Sequence, residues 1–151
     1  MLEIGALDLD DIATALGDQD PYDEHRYLID PATGEIVFWT SEDGTDLDEA
    51  DLIPISALPS RVWYQDMADF VARVSDERVA RRLARAIDGR GAFGRFKVDL
   101  HEEYPELLPY WYAFRDTRAG RRAVEWLLGN GLVSEDDANR YLADHPDPAV
   151  P

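Results

Sequence analysis

The hydrophobic residues near the start of the chain recur at the spacing of a short helix. Apolar side chains at positions 9, 12, 13 and 16 fall on one face of a helix that we predict over residues 7–17. Asp8 or Asp10 is suited to cap its N-terminus, and Gly17 is suited to end it. The first predicted element is therefore one short amphipathic helix.

The pattern then changes to that of a β-hairpin. Residues 27–39 contain two strand-forming runs, YLI and IVFW, separated by the turn sequence DPATG. The proline and glycine of that sequence provide the backbone conformations that a tight turn needs. An acidic loop follows over residues 40–51, and then a short extended segment, LIPI, over residues 52–55. Because Pro54 cannot donate a ladder hydrogen bond, we place this third strand at the edge of the sheet.

From residue 60 onward the hydrophobic period is that of an α-helix. Capping and breaking residues divide this half into four or five short helices, with boundaries at Ser75, Gly89, Pro105, Gly120 and Gly129. A last short helix is predicted over residues 134–143 and a frayed tail over residues 145–151. The predicted core consists of large aromatic side chains: Trp63, Phe70, Phe93, Phe96, Trp111 and Trp126.

Together these elements predict an α+β fold, in which a small antiparallel β-sheet is followed by a bundle of four to five short helices. The sheet consists of the hairpin and a short edge strand. A length of 151 residues favours a single domain. Within it we distinguish an acidic helix-plus-hairpin part (1–60), a helical part (61–133) and a short helix with a tail (134–151).

The charge is distributed unevenly among these parts. Residues 1–60 contain 16 Asp and Glu and one basic residue, whereas residues 61–133 contain 13 basic and 11 acidic residues. The whole chain carries a formal charge of −17. A strongly acidic surface keeps a protein soluble, and it also attracts basic partners. Our leading hypothesis is therefore a non-enzymatic interaction or regulatory module that presents an acidic surface to an unknown protein partner.

The composition excludes several classes of function. The chain has no cysteine, which rules out disulfides, a thiol nucleophile and cysteine-ligated zinc. The three histidines have no metal-ligand spacing, so we predict no metal, no cofactor and no assigned catalytic residue. The N-terminal sequence MLEIGALDLDD does not have the pattern of a signal peptide, and no apolar run is long enough to span a membrane. We expect a cytoplasmic protein without a membrane partner.

A glycine-rich segment raises the question of a nucleotide site. Residues 89–94 read GRGAFG, which matches the G-x-G-x-x-G pattern of dinucleotide-binding loops. That function requires a strand before the glycines, whereas an amphipathic helix is predicted there. We interpret the segment as a hinge in which Gly89 ends one helix, Gly91 permits a sharp turn and Gly94 lets another helix approach closely. The alternative is a weak anion site at the start of the following helix.

A basic edge is the best nucleic-acid signal in the sequence. Four arginines between residues 78 and 85 follow one helix, which gives it a continuous cationic face. The chain's charge of −17 opposes nucleic-acid binding, and an exposed helix face has the same pattern. Binding of RNA or single-stranded nucleic acid along this edge is the alternative function. The candidate binding surface comprises Tyr64, Arg78, Arg81, Arg82, Arg85, Arg90, Arg95, Lys97, Tyr112 and Arg115.

A third hypothesis is an enzyme that uses carboxylates borne on a helix. Asp66 and Asp69 lie three residues apart on the first long helix, a spacing that suits a general acid and a general base. The same spacing is common on any solvated helix face, so this hypothesis ranks below the two binding functions.

Five segments of the chain stand in a characteristic order. They are the hairpin around Thr33-Gly34-Glu35, IPI at 53–55, RVWYQDMADF at 61–70, GRGAFGRFK at 89–97 and WYAFRD at 111–116. Together they resemble a bacterial uncharacterised protein family of the UPF series, from the hairpin to about Trp126. The resemblance implies a small bacterial intracellular domain, and it supplies no activity, ligand or catalytic residue.

Overall fold

A computed structural model describes residues 1–18, 25–40 and 51–151. It confirms the α+β fold, since a three-stranded antiparallel sheet precedes a helical half. Within the continuously described stretch 51–151, five α-helices follow the last strand. The predicted acidic loop at 40–51 lies outside the described residues except for its first and last residue.

In chain order, the elements are α1 (Leu9–Gly17), β1 (His25–Ile29), β2 (Ile36–Thr40), β3 (Ile53–Ile55), α2 (Ser60–Arg73), α3 (Glu77–Ala86), α4 (Ala92–Glu102), α5 (Leu108–Gly129) and α6 (Glu135–Asp144). Single 3-10 turns precede α1 at Ile4–Ala6 and α5 at Pro105–Leu107. None of the helices in the described residues combines enough length with enough hydrophobicity to span a bilayer.

The chain forms two compact units. Unit 1 comprises residues 1–58 and 119–146, and unit 2 comprises residues 59–118 and 147–151. Helix α5 contributes its first half to unit 2 and its second half to unit 1.

The sheet of unit 1 has the strand order β2-β1-β3, and both pairings are antiparallel. Tyr27 of β1 stands opposite Phe38 on one side and Ile55 on the other. The hairpin turn is closed by a 2.8 Å hydrogen bond from the Gly34 amide to the Asp30 carbonyl. β3, which contains Pro54, is an outer strand, so the predicted edge position is confirmed.

Helix α1 of unit 1 has the predicted cap and buried face. The Asp8 carboxylate accepts a 3.0 Å hydrogen bond from the Asp11 amide, which satisfies one of the helix's unpaired N–H groups. Ile12 and Leu16 are fully buried, and α1 contacts β3. A 2.7 Å hydrogen bond from the Leu58 amide to the Leu16 carbonyl joins the end of α1 to the segment that follows the sheet.

Unit 2 has an aromatic core. Phe70, Phe96 and Phe114 are buried. The half-buried Trp111 ring meets Phe70 and Phe96 edge-on, at centroid distances of 5.3 Å and 4.9 Å. The edge-to-face geometry is favourable for aromatic rings. Phe70 and Phe96 are thus confirmed as core residues, and Trp111 lies at the core's margin.

Phe93 was predicted to be in the core, and this is wrong. Its side chain is 48% exposed. Helix α4 buries Ala92, Phe96 and Leu100, which are spaced four residues apart and form its inner face. Phe93 follows Ala92 by about 100° around the helix, so it points outward.

Two predicted helix boundaries are also wrong. The predicted break at Gly120 does not occur, because α5 continues from Leu108 to Gly129. A side chain at Gly120 would place its Cβ 2.8 Å from the Tyr141 hydroxyl oxygen, so this glycine allows a close approach and does not end a helix. Ser75 does not cap α3. The Asp76 carboxylate does so, accepting hydrogen bonds from the amides of Arg78 and Val79.

Candidate functional site

The glycine-rich segment is a hinge between two helices. Gly89 and Gly91 both have φ of 79°, a left-handed conformation that favours glycine, and they lie between α3 and α4. The helix before them excludes the strand context of a dinucleotide loop. Gly94, however, has no atom within 4 Å of the position of an added Cβ. The expected close approach of another helix at Gly94 is therefore wrong, and its surface is open.

The Arg95 side chain binds backbone carbonyls between the end of α3 and the hinge, all within unit 2. Its guanidinium donates hydrogen bonds to the carbonyls of Ala86 (2.8 Å) and Asp88 (2.6 Å), and also to the Arg90 carbonyl. These carbonyls lie at the end of α3 and directly after it, where helices leave acceptors unpaired. The contacts give Arg95 a capping role, although the sequence made it a candidate binding residue.

The basic edge is exposed, but part of it is paired. Arg82 lies 3.7 Å from a carboxylate oxygen of Asp99 and 3.4 Å from one of Glu103. The Arg81 side chain donates to the backbone carbonyl of Glu77 at 3.2 Å. The other exposed cations here have side chains without an acidic or hydrogen-bonding partner among the described residues: Arg78, Arg85, Arg90 and Lys97. Their charges are available to a ligand.

A groove lies between α3 and α4, within unit 2. Its volume is about 680 Å³. Ala86, Gly94 and Val98 provide an apolar floor, and the side chain of Val98 is 50% exposed. The groove walls are lined by Arg82, Arg85, Arg95 and Asp99. We call this feature the α3–α4 groove.

The two tyrosines of the candidate surface have different roles. Tyr64 is half-buried, and its hydroxyl donates a 2.8 Å hydrogen bond to the Ile87 carbonyl at the end of α3, so it contributes to structure. Tyr112 is exposed, with its hydroxyl 3.4 Å from His101 Nε2. The Arg115 guanidinium lies 4.9 Å from the centre of the Tyr112 ring, a cation–π contact. The structure thus brings Tyr112 and Arg115 together on α5.

Asp66 and Asp69 belong to an ion-pair network within unit 2. Arg118 makes a two-pronged contact with Asp147 at 2.9 and 2.8 Å. Its Nη1 atom lies 2.6 Å from Asp69 and 3.5 Å from Asp66, and the Asp66 side chain is only 2% exposed. Arg73 adds a second cation at 3.3 Å from Asp147.

Electrostatic interactions within this network act on Asp69 and Arg118. Burial by itself raises the pKa of Asp69, but hydrogen bonds from Arg118 and Gln65 outweigh it and hold the pKa below its ordinary value. The pKa of Arg118 is raised, chiefly by its hydrogen bonds to Asp147. A general acid needs a raised pKa at neutral pH, and the arrangement keeps Asp69 charged instead.

The network also fastens the C-terminal residues to unit 2. Asp147 is held by Arg118, Val150 packs against the aromatic core, and the Pro151 carbonyl accepts a 3.0 Å hydrogen bond from the Ser75 amide. The prediction of a frayed tail is therefore wrong for residues 147–151. Tails are held in this way when their backbone and side chains find partners on the domain.

A second groove lies within unit 1, and sequence reasoning did not find it. Residues 4–10 form one wall, and α6 from Asp137 onward, together with His145, forms the other. The groove between them is open to solvent and has a volume of about 780 Å³. The wall of residues 4–10 supplies apolar side chains, including Leu7 and Leu9. Four aspartates and one arginine carry the charges of the lining: Asp8, Asp10, Asp137, Asp144 and Arg140. We call this feature the acidic groove.

Hydrogen bonds and ring stacking fix the walls of the acidic groove. The Ile4 amide donates to the Asp137 carboxylate at 3.2 Å. The Tyr141 ring stacks on His145 with a centroid distance of 3.9 Å and an interplanar angle of 16°. Burial and the nearby charge of Asp10 raise the pKa of Tyr141 against the opposing effect of Arg121, so its hydroxyl stays protonated at neutral pH. Asp137, Tyr141 and Asp144 share one helical face, and this spacing was the sequence signal that could have indicated the α6 wall of the groove.

Among the described residues, no group of histidines and carboxylates is arranged to hold a metal ion.

A protein-family model matches most of the chain. The profile described as "Uncharacterised protein family (UPF0158)" matches residues 6–143. The chain is similar to the UPF0158 protein PA5073 of Pseudomonas aeruginosa, with 30% identity over 133 residues that cover 83% of this chain and 84% of that protein. No solved structure gives a significant match.

Proposed function

Because the chain belongs to the uncharacterised protein family UPF0158, whose description names no activity, we propose a function from the geometry of the chain itself. The protein is a non-enzymatic binding module. Its acidic groove receives a basic segment of another protein that also carries apolar side chains.

The main support for this proposal is the set of side chains that line the acidic groove. Leu7 and Leu9 offer apolar surface next to the carboxylates of Asp10 and Asp144. Both carboxylates belong to exposed residues and have no hydrogen-bonding or ionic partner among the described residues. A lysine or arginine side chain fits such a site, since its stem covers apolar surface while its charge meets a carboxylate.

The charge of unit 1 supports the same partner chemistry. By sequence, unit 1 contains 21 acidic and 4 basic residues, which is a net charge of −17. Such a field speeds the encounter with a basic partner, and it discriminates against acidic ones. Charge steers the partner to unit 1, and the apolar wall of the groove retains it.

The test measures binding of a labelled peptide that alternates lysine with leucine to the full chain, by fluorescence anisotropy. We expect the double variant Asp10→Asn/Asp144→Asn to bind about tenfold more weakly, or about 1.4 kcal/mol, because it removes two carboxylates that contact the peptide. Neither carboxylate caps a helix or accepts a hydrogen bond from the residues that the structure describes, so the fold is retained.

The matched control is Glu35→Gln/Glu125→Gln. It removes the same amount of charge from two exposed residues of unit 1 that do not line the groove. We expect its binding to change less than twofold. Equal losses in the two double variants would show that only net charge matters, and absence of peptide binding by the unmodified chain would overturn the proposal outright.

A further inference from the structure

The α3–α4 groove in unit 2 is a second binding surface, of opposite charge to the acidic groove. We propose that it receives an acidic amphipathic helix from another protein. The apolar side chains of that helix enter between Ala86, Gly94 and Val98, and its carboxylates meet the cations beside them. This surface is independent of the function proposed above.

The charge of this surface stands out against that of the chain. Residues 78–98 contain seven basic residues and one acidic residue, in a chain with a net charge of −17. Two of these cations are engaged within unit 2, since Arg95 caps the end of α3 and Arg82 pairs with Asp99. Arg85 lines the groove, and it has no acidic or hydrogen-bonding partner among the described residues. Lys97 is exposed on the same two-helix segment.

The floor of the groove explains why the partner also needs apolar side chains. Gly94 leaves open space where any other residue would place a side chain. Val98 exposes half of its surface one helical turn further along α4. An unfilled apolar floor between helices receives aliphatic side chains spaced three or four residues apart on a docking helix.

A protein helix fits this surface better than a nucleic acid does. Single-strand binders combine a basic channel with aromatic platforms on which bases stack. Of the described residues, none that lines the groove is aromatic, and the hydroxyl of Tyr64 is bound to the Ile87 carbonyl. The charge of the whole chain also opposes a phosphate backbone more strongly than a short acidic peptide.

The experiment measures binding of a labelled helical peptide, made of leucine and glutamate at amphipathic spacing, to the full chain. We expect Arg82→Gln/Arg85→Gln, which removes two arginines that line the groove, to weaken binding about tenfold. The matched control, Arg61→Gln/Arg78→Gln, removes two exposed arginines that do not line the groove and should change binding less than twofold.

A second variant tests the groove itself. In Gly94→Glu the new side chain meets no atom within 4 Å of its Cβ, so the fold is retained while a carboxylate enters the groove. We expect peptide binding to fall at least tenfold. Unchanged binding in this variant, or equal losses in both arginine pairs, would overturn the proposal. So would an oligonucleotide that binds the unmodified chain and loses affinity in Arg82→Gln/Arg85→Gln while the peptide does not bind.

Discussion

Unit 1 and unit 2 differ in net charge and in the partners of their carboxylates. Unit 2 contains 11 basic and 11 acidic residues and is neutral, whereas unit 1 contains 4 basic and 21 acidic residues. In unit 2 the acids meet arginines, as Asp66, Asp69 and Asp147 do around Arg118. In unit 1 the described carboxylates mostly cap helices and turns or remain exposed, as Asp8 and Asp10 illustrate.

This difference shows that aspartate can either stabilise the fold or remain available for binding, depending on its burial. A buried aspartate must be paired with a cation or a hydrogen-bond donor, so it becomes part of the fold. An exposed and unpaired aspartate adds little to stability, and it remains available to a partner. We therefore expect charge changes in unit 2 to affect mainly stability, and charge changes at the rim of the acidic groove to affect mainly binding.

The largest expected effect comes from Arg118→Met in unit 2. The change leaves the buried Asp66 carboxylate and its neighbours without their shared cation. Breaking a buried ion pair from one side is costly, so we expect a loss of about 3 kcal/mol in the free energy of unfolding. Urea denaturation followed by circular dichroism measures it.

Two variants sharpen the Arg118 prediction. In Asp66→Asn/Arg118→Met the buried charge is neutralised as well, so part of the lost stability should return. In Arg115→Met an exposed arginine that pairs with the exposed Asp116 is removed, and the loss should stay below about 0.5 kcal/mol. Similar losses in Arg118→Met and Arg115→Met would contradict the distinction between the two kinds of charge.

A smaller effect is expected at Gly120 in unit 1. Alanine is the better helix former, but its methyl group would lie 2.8 Å from the Tyr141 hydroxyl oxygen. We expect Gly120→Ala to destabilise the protein by about 1 kcal/mol, because overpacking outweighs the gain in helix propensity. In a Tyr141→Phe background, which lacks the hydroxyl, the same substitution should become stabilising. Thermal unfolding of the four proteins in this cycle measures the reversal.

Gly129→Ala is the matched control for Gly120→Ala. Gly129 ends the same helix and has nothing within 4 Å of an added Cβ. Alanine there should stabilise by about 0.5 kcal/mol through helix propensity alone. If Gly120→Ala stabilised the protein by the same amount, the contact with Tyr141 would have no energetic weight.

The smallest effect concerns acid stability. The pKa of Asp69 is lowered in the folded state, so its contribution to stability is present above the unfolded pKa of about 3.9 and is lost as the pH falls through the folded value. Asp69→Asn should therefore make unfolding free energy less dependent on pH between about pH 6 and pH 2. Urea denaturation at a series of pH values measures this slope.

Asp11 in unit 1 should affect the pH dependence of the unfolding free energy in the opposite direction to Asp69. Slight desolvation and the neighbouring carboxylates of Asp8 and Asp10 raise the pKa of this exposed residue, so protonation is favoured in the folded state. Its contribution to stability increases as the pH falls, and Asp11→Asn should make the protein's loss of stability in acid steeper. Slopes that change in the same direction in both variants would contradict the contrast between the units.

The hairpin and the hinge were predictable because their causes are local. The sequence DPATG contains the turn chemistry itself, and Gly89 and Gly91 stand where two amphipathic helices meet. The continuity of α5 was not predictable, since the reason for Gly120 is Tyr141, 21 positions away. Helical spacing also did not decide which of residues 92 and 93 shares the inner face of α4 with Phe96.

The sites depend even more on distant contacts. The sequence showed that the first 60 residues are acidic, but the acidic groove needs residues 4–10 beside α6, which begins at Glu135. In the same way, Arg95 was predicted to bind a ligand. Its capping role could not be predicted, because its acceptors are backbone carbonyls, which no residue pattern reveals.

The most direct test of the acidic groove is an NMR titration of the full chain with the lysine–leucine peptide. The proposed function predicts that the amide signals of Leu7, Asp137 and Tyr141 shift together and saturably, while those of Gly94 and Val98 stay in place. Shifts scattered over exposed carboxylates outside the groove, or signals of the groove residues that do not move, would contradict it.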